Sequence, residues 1–271
     1  MSGRLIGYDG PAMTKTTDFN GKWALVTGAS SGIGAALARE LAGHGARLIL
    51  TARRMDRLDA LAGELRTRGT EVRVVAADLN DPAAPGQIFS ATQELTVDIL
   101  VNNAGLGQYG AFSSSLEEQE LSQVRVNCEA MVRLTRLFVA GMVERRRGWV
   151  LILASTASFQ PVPYLSTYAA TKAFDRLFAL GLAAEVARFG VKVTALCPGA
   201  TESEFFEVSG ANRFKRGIQS ASEVARRGIE ALARGQRTII PPFSGRASAL
   251  LVRFLPDGLI TRVVEKAARP K

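Results

Sequence analysis

Short apolar runs alternate along this chain with longer amphipathic stretches. WALVT (23–27), RLILT (47–51), VRVVA (72–76), DILVN (98–102), WVLILAS (149–155), VKVTALC (191–197) and RTII (237–240) predict strands. Most are near-continuous Val, Ile and Leu, the pattern of strands buried on both faces of a parallel sheet. Between them lie helical stretches at 34–45, 55–69, 117–147 and 168–190, with apolar residues on one face. Strand then helix, repeated, predicts one doubly wound α/β (Rossmann) domain over residues 21–244, a parallel seven-stranded sheet with helices on both faces. Residues 1–20 read as a flexible leader, with Met13 an alternative start. Residues 245–271 read as a basic amphipathic C-terminal extension.

Composition narrows the chemistry. Apolar residues make up 47% of the 271, enough for a substantial core. The two cysteines, Cys128 and Cys197, sit in apolar runs without CxxC spacing. That argues against a disulfide scaffold and a zinc site, and suits buried reduced thiols in a cytoplasmic protein. The only histidine, His44, lies between glycines at a helix end, where the helix dipole favours it. A Ser-His-Asp triad and a histidine metal site are therefore not expected, no metal is expected, and protons must move on another side chain. No apolar run approaches the ~18 residues of a membrane span, and the N-terminus lacks the apolar centre of a secretory signal.

The first strand runs into TGASSGIG, residues 27–34, ahead of an amphipathic helix. Gly28, Gly32 and Gly34 permit a tight turn and close approach of a ligand. With Ser30, Ser31 and Ile33 they form a loop whose helix N-terminus offers free N–H groups to a pyrophosphate. The end of the second strand selects the nucleotide: an acid there binds the adenosine ribose and repels a 2′-phosphate. This chain has Ala52, then Arg53 and Arg54. Arginine binds a 2′-phosphate through paired charged hydrogen bonds, so the expected cofactor is NADP(H), with Arg53 the stronger candidate.

In YLSTYAATKAF (164–174), Tyr168 and Lys172 stand four residues apart, on one helical face. A phenol ordinarily titrates near ~10, and an adjacent ammonium stabilises the phenolate. Ser155, 13 residues earlier, ends a strand, where α/β sheets place their ligands. Hydride transfer to a carbonyl needs such a proton donor and an oxyanion-binding hydroxyl.

TGASSGIG, DL (78–79), NNAG (102–105), Asn127, Ser155, YAATK and PGAT (198–201) occur in that order. Over roughly residues 20–205 the chain resembles the short-chain dehydrogenase/reductase family, in its compact single-domain branch. The resemblance implies that Tyr168 is the proton donor or acceptor, that Ser155 binds the substrate oxygen, and that Lys172 holds the nicotinamide ribose and lowers the Tyr168 pKa. Asn127 would help hold a water linking Lys172 to solvent. Asp78, with Leu79 beside it, would contact adenine; Asn103, Ala104 and Gly105 would flank the adenosine. Pro198, Gly199 and Thr201 would close over the nicotinamide. The family also implies a homodimer or homotetramer formed through its long helices, including the one carrying Tyr168.

The substrate end is less determined. Phe159, Val162, Pro163 and Tyr164 suggest an apolar wall. Residues 200–221 carry Phe205, Phe206 and Phe214, which suit either a mobile lid or ordinary helix packing. The wall is similar to that of the subgroup with steroid dehydrogenases and long-chain 3-oxoacyl-CoA reductases. An apolar ketone or aldehyde is the expected small-molecule substrate, with a 3-oxoacyl thioester the alternative.

Residues 1–210 carry 21 Lys+Arg against 21 Asp+Glu, and residues 211–271 carry 13 against 4. The whole excess of +9 therefore lies in the last 61 residues. Three readings of 245–271 stay open: packing on the core or a partner subunit, peripheral contact with an anionic membrane, or a solvated end. Specific nucleic-acid binding is not expected, since 210 residues are neutral and no binding motif is present. A non-catalytic NADP-binding regulator would not need Ser155, Tyr168 and Lys172 together. A nucleotide-sugar epimerase shares the Tyr/Lys pair but has a different glycine spacing and a larger C-terminal domain.

Overall fold

The computed structural model describes residues 19–211, 218–241 and 254–270. Its seven strands are β1 Trp23–Thr27, β2 Arg47–Ala52, β3 Val72–Ala76, β4 Val97–Asn102, β5 Gly148–Leu153, β6 Val191–Leu196 and β7 Thr238–Ile239. They form one parallel sheet in the order β3-β2-β1-β4-β5-β6-β7. Each of the seven apolar runs thus became a strand, within a residue or two of its expected ends.

Continuous apolar runs are required because side chains alternate between two buried faces. Ala24, Val26, Leu48 and Leu50 enter one core with helices α1 (Gly32–Gly43) and α2 (Met55–Thr67). Trp23, Leu25 and Ile49 enter the other, with α3 (Ala84–Ser90) beside them. The chain winds outward from β1 through β2 to β3, then returns to start β4 on the other side of β1. That reversal opens a crevice at the carboxyl ends of β1 and β4.

Residues 117–147 do not form one uninterrupted α-helix. Helix α4 (Glu117–Val124) passes through a π-helical stretch, Arg125–Ala130, into α5 (Met131–Glu144). Such wide turns cluster at functional sites, and Asn127 lies in this one. Helix α6 (Ser166–Val186) carries Tyr168 and Lys172. A short α7 (Phe205–Val208), α8 (Ala221–Arg234) and a C-terminal helix (Asp257–Ala268) complete the described chain.

The C-terminal helix packs on the domain. Ile260 and Ala268 are buried, and the Tyr109 hydroxyl donates to the Ala268 carbonyl at 2.7 Å. Its Phe254, Leu259 and Val263 neighbours and faces remain exposed. Phe214, Leu250 and Leu251 lie outside the described residues, as does residue 1–18 of the expected leader. Among the described residues no helix is long and apolar enough to cross a membrane.

Phe19, expected to lie in the leader, belongs to the domain core. Phe19 is fully buried and meets the Trp149 ring edge-on, centroids 5.3 Å apart. Phe19→Ala should therefore cost about 3 kcal/mol of stability in urea unfolding, the usual loss for a buried aromatic side chain.

Candidate active site

Thr27 closes β1 against the end of β4. Its buried hydroxyl donates to the Val101 carbonyl (3.2 Å) and accepts from the backbone N–H groups of Asn103 (2.9 Å) and Ala104 (3.0 Å). The Asn103 side-chain amide donates to the carbonyls of Thr27 (2.8 Å) and Gly28 (3.2 Å). The turn after β1 and the turn after β4 are thus held as one unit.

Two glycines in this unit are obligatory. Gly28 has φ +64°, and a Cβ there would stand 2.8 Å from Asn103 Nδ2 and 2.9 Å from Ala104 Cα. A Cβ on Gly34 would overlap the Gly28 carbonyl oxygen and Asn103 Nδ2. Helix α1 therefore approaches the loop closely, aiming its N-terminal N–H groups at the crevice.

One cavity of about 750 Å³ runs from this loop to α6. Every proposed nucleotide residue lines it: Gly28, Ser30, Ser31, Gly32, Ile33 and Gly34; Arg53 and Arg54; Asp78 and Leu79; Asn103, Ala104 and Gly105; Pro198, Gly199 and Thr201. It is Arg54, more than Arg53, that reaches the loop: its Nη2 donates to Ser30 Oγ (3.1 Å) and Ser31 Oγ (3.0 Å). The donor set suits a dinucleotide carrying an extra phosphate. It offers helix N–H groups, two hydroxyls and guanidinium groups at one end, with a Tyr/Lys/Ser cluster at the other.

At that other end, Ser155, Tyr168 and Lys172 all face the cavity. Ser155 follows β5 and caps a short turn, its Oγ accepting from the Ala157 N–H (3.1 Å). Burial pushes the Tyr168 phenol above its ordinary range. The Lys172 charge and a Ser155 hydrogen bond pull it back, and Asp175 pushes it up again. Lys172 thus lowers the phenol as expected, while burial, the larger effect, leaves it raised.

Asn127 spends both amide N–H groups and one acceptor position on protein partners. Its Oδ1 accepts from the Leu106 N–H (2.8 Å), and its Nδ2 donates to the Leu106 carbonyl (2.9 Å) and Thr171 Oγ1 (2.8 Å). It splints the loop after β4 to α6. Gly105 separates it from Lys172: a Cβ there would lie 3.4 Å from Asn127 Oδ1 and 3.3 Å from Lys172 Nζ.

Asp175 escaped the sequence reading. Lys172 Nζ donates to the Leu153 carbonyl (2.8 Å) and Asp175 Oδ2 (2.9 Å), with both side chains buried. An ammonium has three donors, so one N–H of Lys172 remains beyond these two bonds. Desolvation alone would lower the Lys172 pKa, but Asp175 and Tyr168 more than offset it and the group is raised. Burial likewise raises Asp175 against the pull of Lys172. Asp175 Oδ1 has no hydrogen-bond partner among the described residues. The signal was available: positions 168, 172 and 175 follow helical i, i+4, i+7 spacing, and a carboxylate on that stripe invites a reason.

Phe159 and Phe205 line the substrate end together with Val162 and Leu165. Tyr164 does not line it, contrary to expectation. It adopts a left-handed backbone (φ 65°), and its hydroxyl donates to Glu265 of the C-terminal helix (3.0 Å). That helix instead contributes Val264 to the cavity wall.

The family model "short chain dehydrogenase" matches residues 22–213. The chain belongs to the short-chain dehydrogenase family. It is 34% identical over 195 residues to the very-long-chain 3-oxoacyl-CoA reductase of Anas platyrhynchos, an alignment covering 70% of this chain and 62% of that one. It is 41% identical over 190 residues to the granaticin polyketide synthase putative ketoacyl reductase 1 of Streptomyces violaceoruber, covering 68% and 69%. The chain thus spans about three fifths of the length of the first of these dehydrogenase relatives. Among solved structures, a short-chain dehydrogenase from Sphingobium yanoikuyae in complex with NADPH superposes with a TM-score of 0.79 at 32% identity, covering 87% of this chain and 96% of that one.

Asp175→Asn keeps shape but removes the charge facing Lys172, and should cost about 3 kcal/mol, as for other broken buried pairs. The raised Lys172 pKa makes its contribution fully present below the unfolded value near ~10.4 and lost only as pH rises through the folded value. Urea unfolding should therefore give a similar penalty at pH 7 and pH 9.

Proposed function

We propose that this protein is an NADP(H)-dependent oxidoreductase that transfers a hydride between nicotinamide and a carbonyl or alcohol carbon on an apolar substrate. The observation that carries the reading is one continuous cavity joining the arginine-flanked phosphate loop to Ser155, Tyr168 and Lys172. The bound nicotinamide supplies the hydride. Tyr168 gives its phenolic proton to the oxygen as negative charge develops there, and takes it back in the reverse direction. Ser155 donates a hydrogen bond to the same oxygen and so orients it.

Lys172 serves twice. Its free N–H holds the ribose, and its charge favours phenolate over phenol against the effect of burial. Asp175 keeps that charge in place without occupying the cavity. Asn127 acts at one remove, by fixing the Leu106 backbone and Thr171 on either side of the reacting groups.

Arg54, Ser30 and Ser31 support the choice of NADP(H), because no acid stands at the end of β2 to take a ribose hydroxyl pair. Phe159, Val162, Leu165 and Phe205 favour an apolar group beside the carbonyl. A 3-oxoacyl thioester is the second reading, favoured by the names of the two relatives above. A homo-oligomer is part of this proposal: Phe174 and Leu177 on α6 are exposed at 43% and 60%, with Leu121 and Val124 of α4 also open to solvent.

Tyr168→Phe should abolish turnover while NADPH binding, followed by titration calorimetry, stays within about twofold of the parent. Retained turnover would refute the proton-donor role. With the parent enzyme and a panel of apolar ketones, aldehydes and 3-oxoacyl thioesters, kcat/KM with NADPH should exceed that with NADH by about tenfold or more. A preference for NADH would sink the cofactor assignment.

A further inference from the structure

The stretch Thr201–Val208 touches both ends of the cavity at once. At the phosphate end, Glu204 pairs with Arg54 (Nη1 to Oε2, 2.8 Å) and with Arg57. Arg54 is the same guanidinium that donates to Ser30 and Ser31. Ser203 lies on the loop itself: a Cβ on Gly32 would come within 2.9 Å of Ser203 Cβ. One residue beyond Glu204, Phe205 covers the reacting group, its ring centroid 5.0 Å from that of Tyr168. A Cβ on Gly107 would meet the Phe205 ring at 2.5 Å, so the ring fills the gap between that loop and the phenol.

A carboxylate and a phosphate ask the same thing of arginine: negative oxygens accepting from a guanidinium fork. Glu204 satisfies Arg54 and Arg57 with an internal acid at the place where the chain lacks the ribose-binding acid at the end of β2. Hydrogen bonds from Arg57, then Arg54, hold its carboxyl down at about 2. It therefore stays charged at neutral pH, and a competing anion can take its place on the arginines.

We propose that Glu204 is a built-in competitor for the 2′-phosphate of the cofactor, and that a nucleotide bearing this group displaces Glu204 and carries Phe205 off Tyr168. The proposal rests on the NADP(H) reading above. Glu204 and Phe205 are neighbours on one short segment, and the proposal is that this segment moves as a piece rather than the Glu204 side chain rotating alone. A nucleotide without the 2′-phosphate has nothing to offer Arg54 and Arg57 in exchange, and leaves the segment seated over the phenol. Selection of the cofactor then has two parts, direct binding of the phosphate and release of the substrate face. A ligand shifts such an equilibrium only by its difference in affinity for the two states, and the 2′-phosphate is that difference.

The opposite role is also distinguishable. If Glu204 stayed in place and merely positioned Arg54, removing its charge would weaken phosphate binding. Glu204→Gln keeps the size of the side chain, and the side chain is 35% exposed, so the variant should fold. Calorimetric titration with adenosine 2′,5′-bisphosphate, with 5′-AMP as control, reads the competition without turnover. The variant should bind the bisphosphate about tenfold tighter and 5′-AMP within about twofold of the parent. In the parent, the bisphosphate should speed amide hydrogen exchange at Val208 and Ser209, whose N–H groups bond to Glu204 and Phe205 carbonyls, and 5′-AMP should not. Equal or weaker bisphosphate binding by the variant, or unchanged exchange in the parent, overturns the proposal. If the parent binds both nucleotides alike, the NADP(H) reading falls and takes the proposal with it. If the parent prefers the bisphosphate while Glu204→Gln changes nothing, only the competitor role falls.

Discussion

Everything in the site hangs on the joint between the carboxyl ends of β1 and β4. Thr27 spends one donor and two acceptor positions on the β4 end, and Asn103 returns two N–H bonds to the β1 end. A buried hydroxyl and a buried amide are costly unless paired; here each is paired across the joint, so the two turns move as one piece. That rigidity fixes the height of the phosphate loop, and the loop in turn admits α1 only where Gly28 and Gly34 leave room. From the β4 side the same piece continues through Gly105 and Leu106 to Asn127, and from Asn127 to Thr171 on α6. The phosphate loop and α6 are therefore linked by these hydrogen bonds and the short covalent stretch from Asn103 to Leu106.

Lys172 illustrates how opposing terms set a reactive environment. Burial alone favours the neutral amine and the neutral phenol. The lysine keeps its charge because Asp175 stands 2.9 Å away, but the same carboxylate works against the phenolate of Tyr168. In the protein by itself burial therefore leaves the Tyr168 phenol raised, with the Lys172 charge working against that shift.

The strands and the loop were legible because their causes are local. A strand buried on both faces must be continuously apolar, and WALVT or RLILT has no other economical use. Tyr168 and Lys172 were legible because helical spacing places them together whatever else surrounds them. Other features depend on contacts far apart in sequence. Nothing in 117–147 announces the π-helical stretch, since periodicity is nearly the same on either side of it. The Tyr164 hydroxyl finds Glu265 across 101 positions, which no pattern near residue 164 encodes. Spacing favoured Arg53 over Arg54, but the direction of the chain leaving β2 turns Arg54 toward the serines. Phe19 looked like leader because it stands alone among polar residues, yet one aromatic ring against Trp149 is enough to anchor the chain there.

Asp175 and Glu204 share a lesson about charge in this fold. Each is a single acid set against the cations of the site, one beneath the lysine and one across the arginines. They differ in what can replace them. Asp175 is sealed in α6 behind Lys172, where no ligand reaches, so its influence is permanent and belongs to the stability of the helix as much as to the phenol. Glu204 is partly exposed on a short segment and faces the cavity that admits the nucleotide. An acid in that position stabilises the arginines only until a better anion arrives. The same electrostatic pairing is thus a fixed support where it is buried and an exchangeable one where it borders the cavity, and burial alone separates the two roles.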